Sequence, residues 1–151
     1  MTASDVTSPT ADVQELVRLE IPALPAFVGV ARVVVASVST TVDGIDGDRL
    51  EALRIAVSEA CTNAVEAGDG RQRVVLRCVL KDDALEVHVE DDGPGFERSQ
   101  DQGSGDHLDD GAERGWGLQL IRALVDDVDF STAEGGTGTS VRLLVRRTGE
   151  R

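Results

Sequence analysis

Residues 84–95 read ALEVHVEDDGPG, and the phase of that stretch limits the possible folds more than any other part of the chain. Side chains on a strand alternate between faces with a period of two. Leu85, Val87 and Val89 therefore share one face, and the next position in that row is Asp91. Glu86, His88, Glu90 and Asp92 fill the other row, which reads as the solvated one. A carboxylate aimed at its own core needs a donor to meet it, because burying an unpaired charge is costly. The exocyclic amine of a purine is such a donor, and Gly93 and Gly95 would let a flat base approach the backbone. The plainer alternative is a turn in which Asp and Gly serve backbone geometry. A tight hairpin does not fit, since the next apolar run begins only at Trp116.

Around this strand the periodicity predicts a regular order of elements. Leu16 to Ile21 alternate as a strand, ended by Pro22 and Pro25. Pro25 suits the first turn of a helix over roughly 25–40, with Phe27, Val30, Ala31, Val34 and Val38 on one stripe. DGIDGD (43–48) is a turn cluster, and Asp48 with Glu51 three residues on resembles a capping arrangement. The helix that follows carries Leu50, Leu53, Val57, Ala60, Cys61 and Ala64 at helical spacing, and Gly68 is a natural stop. QRVVLRCVL (72–80) and ALEVHVED (84–91) read as a hairpin turning at Lys81–Asp83. Another helix is expected after Gly115, with Leu118, Ile121, Leu124 and Val125 apolar, and VDFSTAE and TSVRLLVRR close the chain as strands. Consecutive strand pairs with helices between them point to an α+β, two-layer α/β sandwich, not to alternating βαβ units.

The totals exclude several classes. At 151 residues the chain is one domain by size. Its net charge of -13 argues against nucleic acid, whose backbone is bound by Lys/Arg patches. No run is long and apolar enough to span a membrane, and MTASDVTSPT lacks the basic and apolar regions of a signal peptide, so a cytoplasmic protein is expected. Cys61 and Cys78 stand far apart without metal-ligand spacing and read as small buried hydrophobes. Residues 1–12 are small and polar, and disorder is expected there.

Three short constellations carry chemistry. Glu59 and Asn63 in SEACTN are four apart and project from one helix face, at the edge of the apolar stripe; a solvated pair is the plain reading. DDGPG follows the strand. GWGL opens a helix, where free backbone N–H groups could cradle phosphates or where two glycines merely ease entry. Neither GxGxxG nor GxxxxGK[ST] occurs. Taken in order, LRIAVSEACTNAVEAG, VEDDGPGF, ERGWGLQLIRALVDDV and GGTGTSVRL resemble the boxes of the GHKL (histidine kinase-like) ATPases. Within them the chain is similar to the single-domain anti-sigma factor/serine-protein kinase family, from LEIPALP to the last strand.

The resemblance implies the Bergerat fold, a mixed, mostly antiparallel sheet covered on one face by three helices. It places the ATPase domain at 13–147, with 97–114 as the ATP lid and 148–151 as a tail. By its implication Asn63 coordinates Mg²⁺ on the ATP phosphates and Glu59 is the general base toward a partner's serine. Asp91 would bind the adenine amine beside Gly93 and Gly95. Gly115, Gly117 and Leu118 would present backbone amides to the phosphates, with Arg114 at the lid hinge, and Thr139 would support the adenine pocket. The implied activity is that of an ATP-dependent serine-protein kinase and anti-sigma regulator that phosphorylates an anti-anti-sigma (STAS-type) partner and binds a sigma factor. A homodimer through the first strand and helix is the family's habit. Two departures keep a second reading open, a nucleotide-binding partner-switch protein without kinase activity. Glu66-Ala67 stand where the family often has a histidine. In addition, residues 90–113 hold nine acids and one base, Arg98, a charge of about -8. His88 and His107 read as surface histidines.

Overall fold

The computed structural model describes residues 13–93, 117–133 and 138–148. Strand β1 (Gln14–Pro22) leads through a single 3-10 turn (Pro25–Phe27) into helix α1 (Val28–Ser39) and then α2 (Gly47–Ala67). The hairpin β2 (Arg73–Leu80) and β3 (Ala84–Asp91) follows. A helix whose described part covers 117–124, here α3, precedes β4 (Asp127–Thr132) and β5 (Thr139–Arg146). The expected lid 97–114 and the expected disordered segment 1–12 lie outside the described residues, as does His107. Thr148, the first residue of the expected tail, is fastened: its N–H and hydroxyl both donate to the Gly44 carbonyl, at 2.8 and 3.2 Å.

The five strands lie in the order β1-β2-β3-β5-β4, and every described pairing is antiparallel. The architecture is α+β, as the periodicity predicts, with helices on one face of the sheet, as the resemblance implies. Register sets the rows of that face. Leu19, Leu76, Val89, Val141 and Phe130 align across the sheet, as do Val17, Cys78, Val87, Leu143 and Val128. Leu76, Val87, Cys78 and Leu143 are fully buried there against Val35 of α1, Leu53 and Val57 of α2 and Ile121 of α3. Both cysteines are free and buried; burial pushes Cys61 up to about 12 and Cys78 up to about 11, so both are inert fillers.

Three expectations are corrected. Asp46, not Asp48, caps α2: it is extended, and its carboxylate accepts from the Arg49 N–H at 2.8 Å, so the helix starts at Gly47. The buried stripe of α1 is Ala31, Val35 and Val38, while Val30 and Val33 are exposed. In a helix of near-uniform valines, hydrophobicity alone does not fix the phase. The row of β3 taken as solvated is not: Glu86 is 2% exposed, and its carboxylate meets Lys81 Nζ at 2.8 Å, His88 Nε2 at 3.0 Å and Arg142 Nη1 at 3.1 Å. His88 is accordingly a half-buried hydrogen-bonding partner and not a free surface histidine.

Candidate functional site

The site is assembled from the middle of α2, the end of β3, the start of α3 and the start of β5. On α2, Ser58 turns toward α1, where Arg32 Nη1 donates to its hydroxyl at 3.2 Å. Glu59 and Asn63, four apart, lie on a different side and face α3. There Gly117 comes so close that a Cβ on it would stand 3.2 Å from Glu59 Oε2 and 3.8 Å from both Asn63 Oδ1 and Nδ2. A side chain at 117 would press on the Glu59 carboxylate and meet Asn63 at ordinary contact distance, so glycine leaves the pair undisturbed. Glu59 and Asn63 are half-buried, and neither has a hydrogen-bond partner among the described residues.

Asp91 lies in the core row, paired in register with Val74 on one side and Thr139 on the other, and is 8% exposed. Its Oδ1 accepts from the Gly93 N–H at 2.9 Å. Burial pushes its pKa up; backbone hydrogen bonds from Gly93 and Thr139 pull the other way, the Asp92 charge adds to the rise, and the net direction is up. Asp92 is exposed and serves the backbone: its Oδ1 accepts from the Arg73 N–H at 3.2 Å. Two adjacent aspartates thus divide by strand phase.

Residue Gly138 also belongs to this corner, though the sequence reading stops one residue short of it at Thr139. Its φ is +87°, and a Cβ there would run into the Asp91 carbonyl. Only glycine adopts that backbone without strain, so Gly138 lets β5 begin directly beside the end of β3. The signal was the last glycine of GGTG. The two halves of the site meet through α2: its last residue, Ala67, places its carbonyl beside Gly93, one turn beyond Asn63.

The structure therefore brings together Glu59, Asn63 and Gly117, and separately Asp91, Gly93 and Thr139, along one flank of α2. Leu118 follows Gly117 and is half-buried. Gly95, Arg114 and Gly115 lie outside the described residues. The donor set fits a nucleotide with magnesium. Asp91 is a buried acceptor whose protein partners are two backbone N–H groups. Asn63 offers one hard oxygen, and Mg²⁺ is commonly held by one or two protein oxygens with phosphates and water completing the shell. Among the described residues no group of three or more His, Cys, Asp or Glu could hold a metal. No helix among them is long and apolar enough to cross a membrane.

The family model described as "Histidine kinase-like ATPase domain" matches residues 21–145. The chain is similar to a protein named serine-protein kinase RsbW from Bacillus pumilus, 35% identical over 143 residues, which cover 87% of this chain and 88% of that relative. It is likewise 35% identical over 139 residues to the protein of that name from Bacillus subtilis, covering 86% of each. The one from Listeria monocytogenes is 33% identical over 134 residues, 83% of this chain and 85% of the relative.

Proposed function

The chain belongs to the histidine kinase-like ATPase domain family, and we propose that it acts there as an ATP-dependent serine-protein kinase and anti-sigma regulator. It would phosphorylate an anti-anti-sigma partner of the STAS type and sequester a sigma factor. The observation that carries this reading is the meeting of Gly117 with Glu59 and Asn63, whose side chains have no hydrogen-bond partner among the described residues. The names of the relatives support the activity.

Bound Mg-ATP supplies the phosphoryl group and neutralises charge on it. The residues of this chain position and deprotonate. Asp91 accepts from the adenine amine, held in place by Gly93 and Thr139. Asn63 would offer its side-chain oxygen to the metal. Glu59 would take the proton of the partner's serine hydroxyl as that oxygen attacks the γ-phosphorus and ADP leaves. Positioning, one base and charge neutralisation suffice for this class of transfer. The exposed Val30 and Val33 on α1, at 43% and 62%, favour a homodimer through β1 and α1.

The test is labelled ATP incubated with the partner. Glu59→Ala should lower transfer by about 10²–10⁴-fold, the usual range for a general base. Nucleotide affinity should stay within about twofold, because the base acts in the transition state. Unchanged transfer would remove Glu59 from its role. Wild-type protein that binds nucleotide but never labels the partner would establish the binding-only reading.

A further inference from the structure

Helix α3 delivers Gly117 to Glu59 and Asn63, yet among the described residues its hydrogen-bonded anchor lies at its other end. Along its length α3 is held by an apolar stripe, Ile121 fully buried and Leu124 and Val125 partly so. Apolar contact is non-directional and tolerates sliding along the helix axis. Within the helix Arg122 lies over the Phe130 ring of β4, 5.8 Å from its centroid; among the described residues, the hydrogen bonds that tie this segment to its neighbours begin where the helix ends. The Asp126 N–H donates to the Leu144 carbonyl at 2.9 Å, and Asp126 Oδ2 accepts from the Arg146 N–H at 2.6 Å. Arg49, in the first turn of α2, closes the arrangement: its Nη1 donates to Asp126 Oδ2 and to the Arg146 carbonyl, each at 3.0 Å. Arg49 is itself fixed, since its N–H is bound by the capping Asp46.

We infer that Arg49 and Asp126 are a positioning pair for the reaction, setting the axial height of α3 and so the placement of Gly117 against Glu59 and Asn63. This rests on the kinase reading above. The geometry makes the coupling direct. Described residues 117–124 span roughly 12 Å, and a slip of one residue is about 1.5 Å. The clearance at Gly117 is already tight enough that a single methyl would crowd Glu59. Arg49 belongs to α2, the helix that carries Glu59 and Asn63, so the anchor links the two helices whose relative height matters. Among the described residues neither is bonded to Glu59, Asn63, Asp91 or Gly117, so both are positioning residues and not catalytic ones.

The experiment compares wild type, Arg49→Ala, Arg49→Lys and Arg54→Ala in steady-state transfer from ATP to the protein partner, with calorimetric titration of Mg-ATP. Arg54 pairs with Glu51 at 3.3 Å, an ion pair formed within the same helix, and is the control. Arg49→Ala should raise the KM and Kd for ATP about tenfold, the loss expected from a displaced phosphate-facing helix end, while kcat at saturating ATP falls less than about threefold. Arg49→Lys should recover most of the loss, and Arg54→Ala should match wild type. Thermal melts accompany each variant. A folded Arg49→Ala with wild-type KM overturns the inference, as does an equal rise in Arg54→Ala. If Arg49→Ala does not fold, Arg49→Lys and Asp126→Asn carry the comparison, and wild-type KM in both overturns it. Wild type that binds no ATP overturns the kinase reading instead, so the two failures are distinguishable.

Discussion

Strand β3 buries two carboxylates five residues apart, on opposite faces of the sheet, and they are handled in opposite ways. Glu86 is 2% exposed and is met by Lys81, His88 and Arg142, the last also paired with Asp127 at 3.0 Å. Burial works against its charge, but the hydrogen bonds from Lys81 and His88 and the charges of Lys81 and Arg142 outweigh that and hold it below the usual carboxylate range. Asp91 is 8% exposed and, among the described residues, is met by the backbone N–H groups of Gly93 and Thr139 alone, and burial leaves its pKa raised. Burial of a charge therefore does not mark a site. A buried charge whose compensation is left incomplete does, because a ligand can supply the remainder.

The largest expected effect separates the two on function. Asp91→Asn keeps the shape and keeps an oxygen for the Gly93 N–H, but replaces an acceptor with a donor where the proposed adenine amine would come. Affinity for Mg-ATP should fall about 100-fold, as expected when a buried site is left with an unmatched hydrogen bond. The apo protein should melt at the same temperature as wild type or higher, since a buried, under-compensated charge is gone. Calorimetric titration and a thermal melt on one preparation check both halves. A variant that loses binding and stability together would make Asp91 a structural acid like Glu86, and the comparison would collapse.

The reverse substitution sharpens it. Glu86→Gln removes a charge that the protein itself has matched, leaving Arg142 and Lys81 short of a partner. Stability should drop by about 1–3 kcal/mol, less than for a sealed pair because both cations reach solvent. Mg-ATP affinity should stay within about twofold of wild type, the usual scatter between independent sites. Urea unfolding gives the first quantity and titration the second; a tenfold loss of affinity would mean that the polar face is coupled to the nucleotide.

The difference between these acids also explains what a sequence can reveal. The inward position of Asp91 is legible because a strand has a period of two and the apolar row is unbroken up to it. The burial of Glu86 is not legible, since Lys81, His88 and Arg142 come from the preceding turn, the same strand and β5. Only the strand order places them around it. The same distinction runs through the site. Glu59 and Asn63 share a face by helical spacing alone, whereas their contact with Gly117 depends on how α3 packs. Gly138 is hidden for another reason: its requirement is a φ of +87° beside the Asp91 carbonyl, a backbone condition that GGTG only hints at. The α2 cap fell on the wrong aspartate because DGIDGD offers several in a row, and only the extended backbone of Asp46 decides.

The smallest effect is a pH dependence in which the two acids should move in opposite directions. Asp91 has its folded pKa raised above the ordinary 3.8. The native state then binds its proton more readily than the unfolded chain does, so this group's contribution falls as pH rises through the folded pKa. Asp91→Asn should thus be more stable than wild type near pH 7, by an amount that shrinks to nothing as the pH drops below 3.8. Glu86 has its folded pKa lowered from the ordinary 4.5, so its contribution is complete above 4.5 and is lost as pH falls through the folded value. Glu86→Gln should be less stable than wild type near pH 7, and that gap should also close in acid. Plotted as differences from wild type, the two curves begin on opposite sides of zero and converge, a shape that cancels the titration of the other acids common to all three proteins. Saturating Mg-ATP provides the final discrimination. A ligand that needs Asp91 as an acceptor must favour its ionised form, so nucleotide should lower the pKa of Asp91 and leave the Glu86 curve where it was.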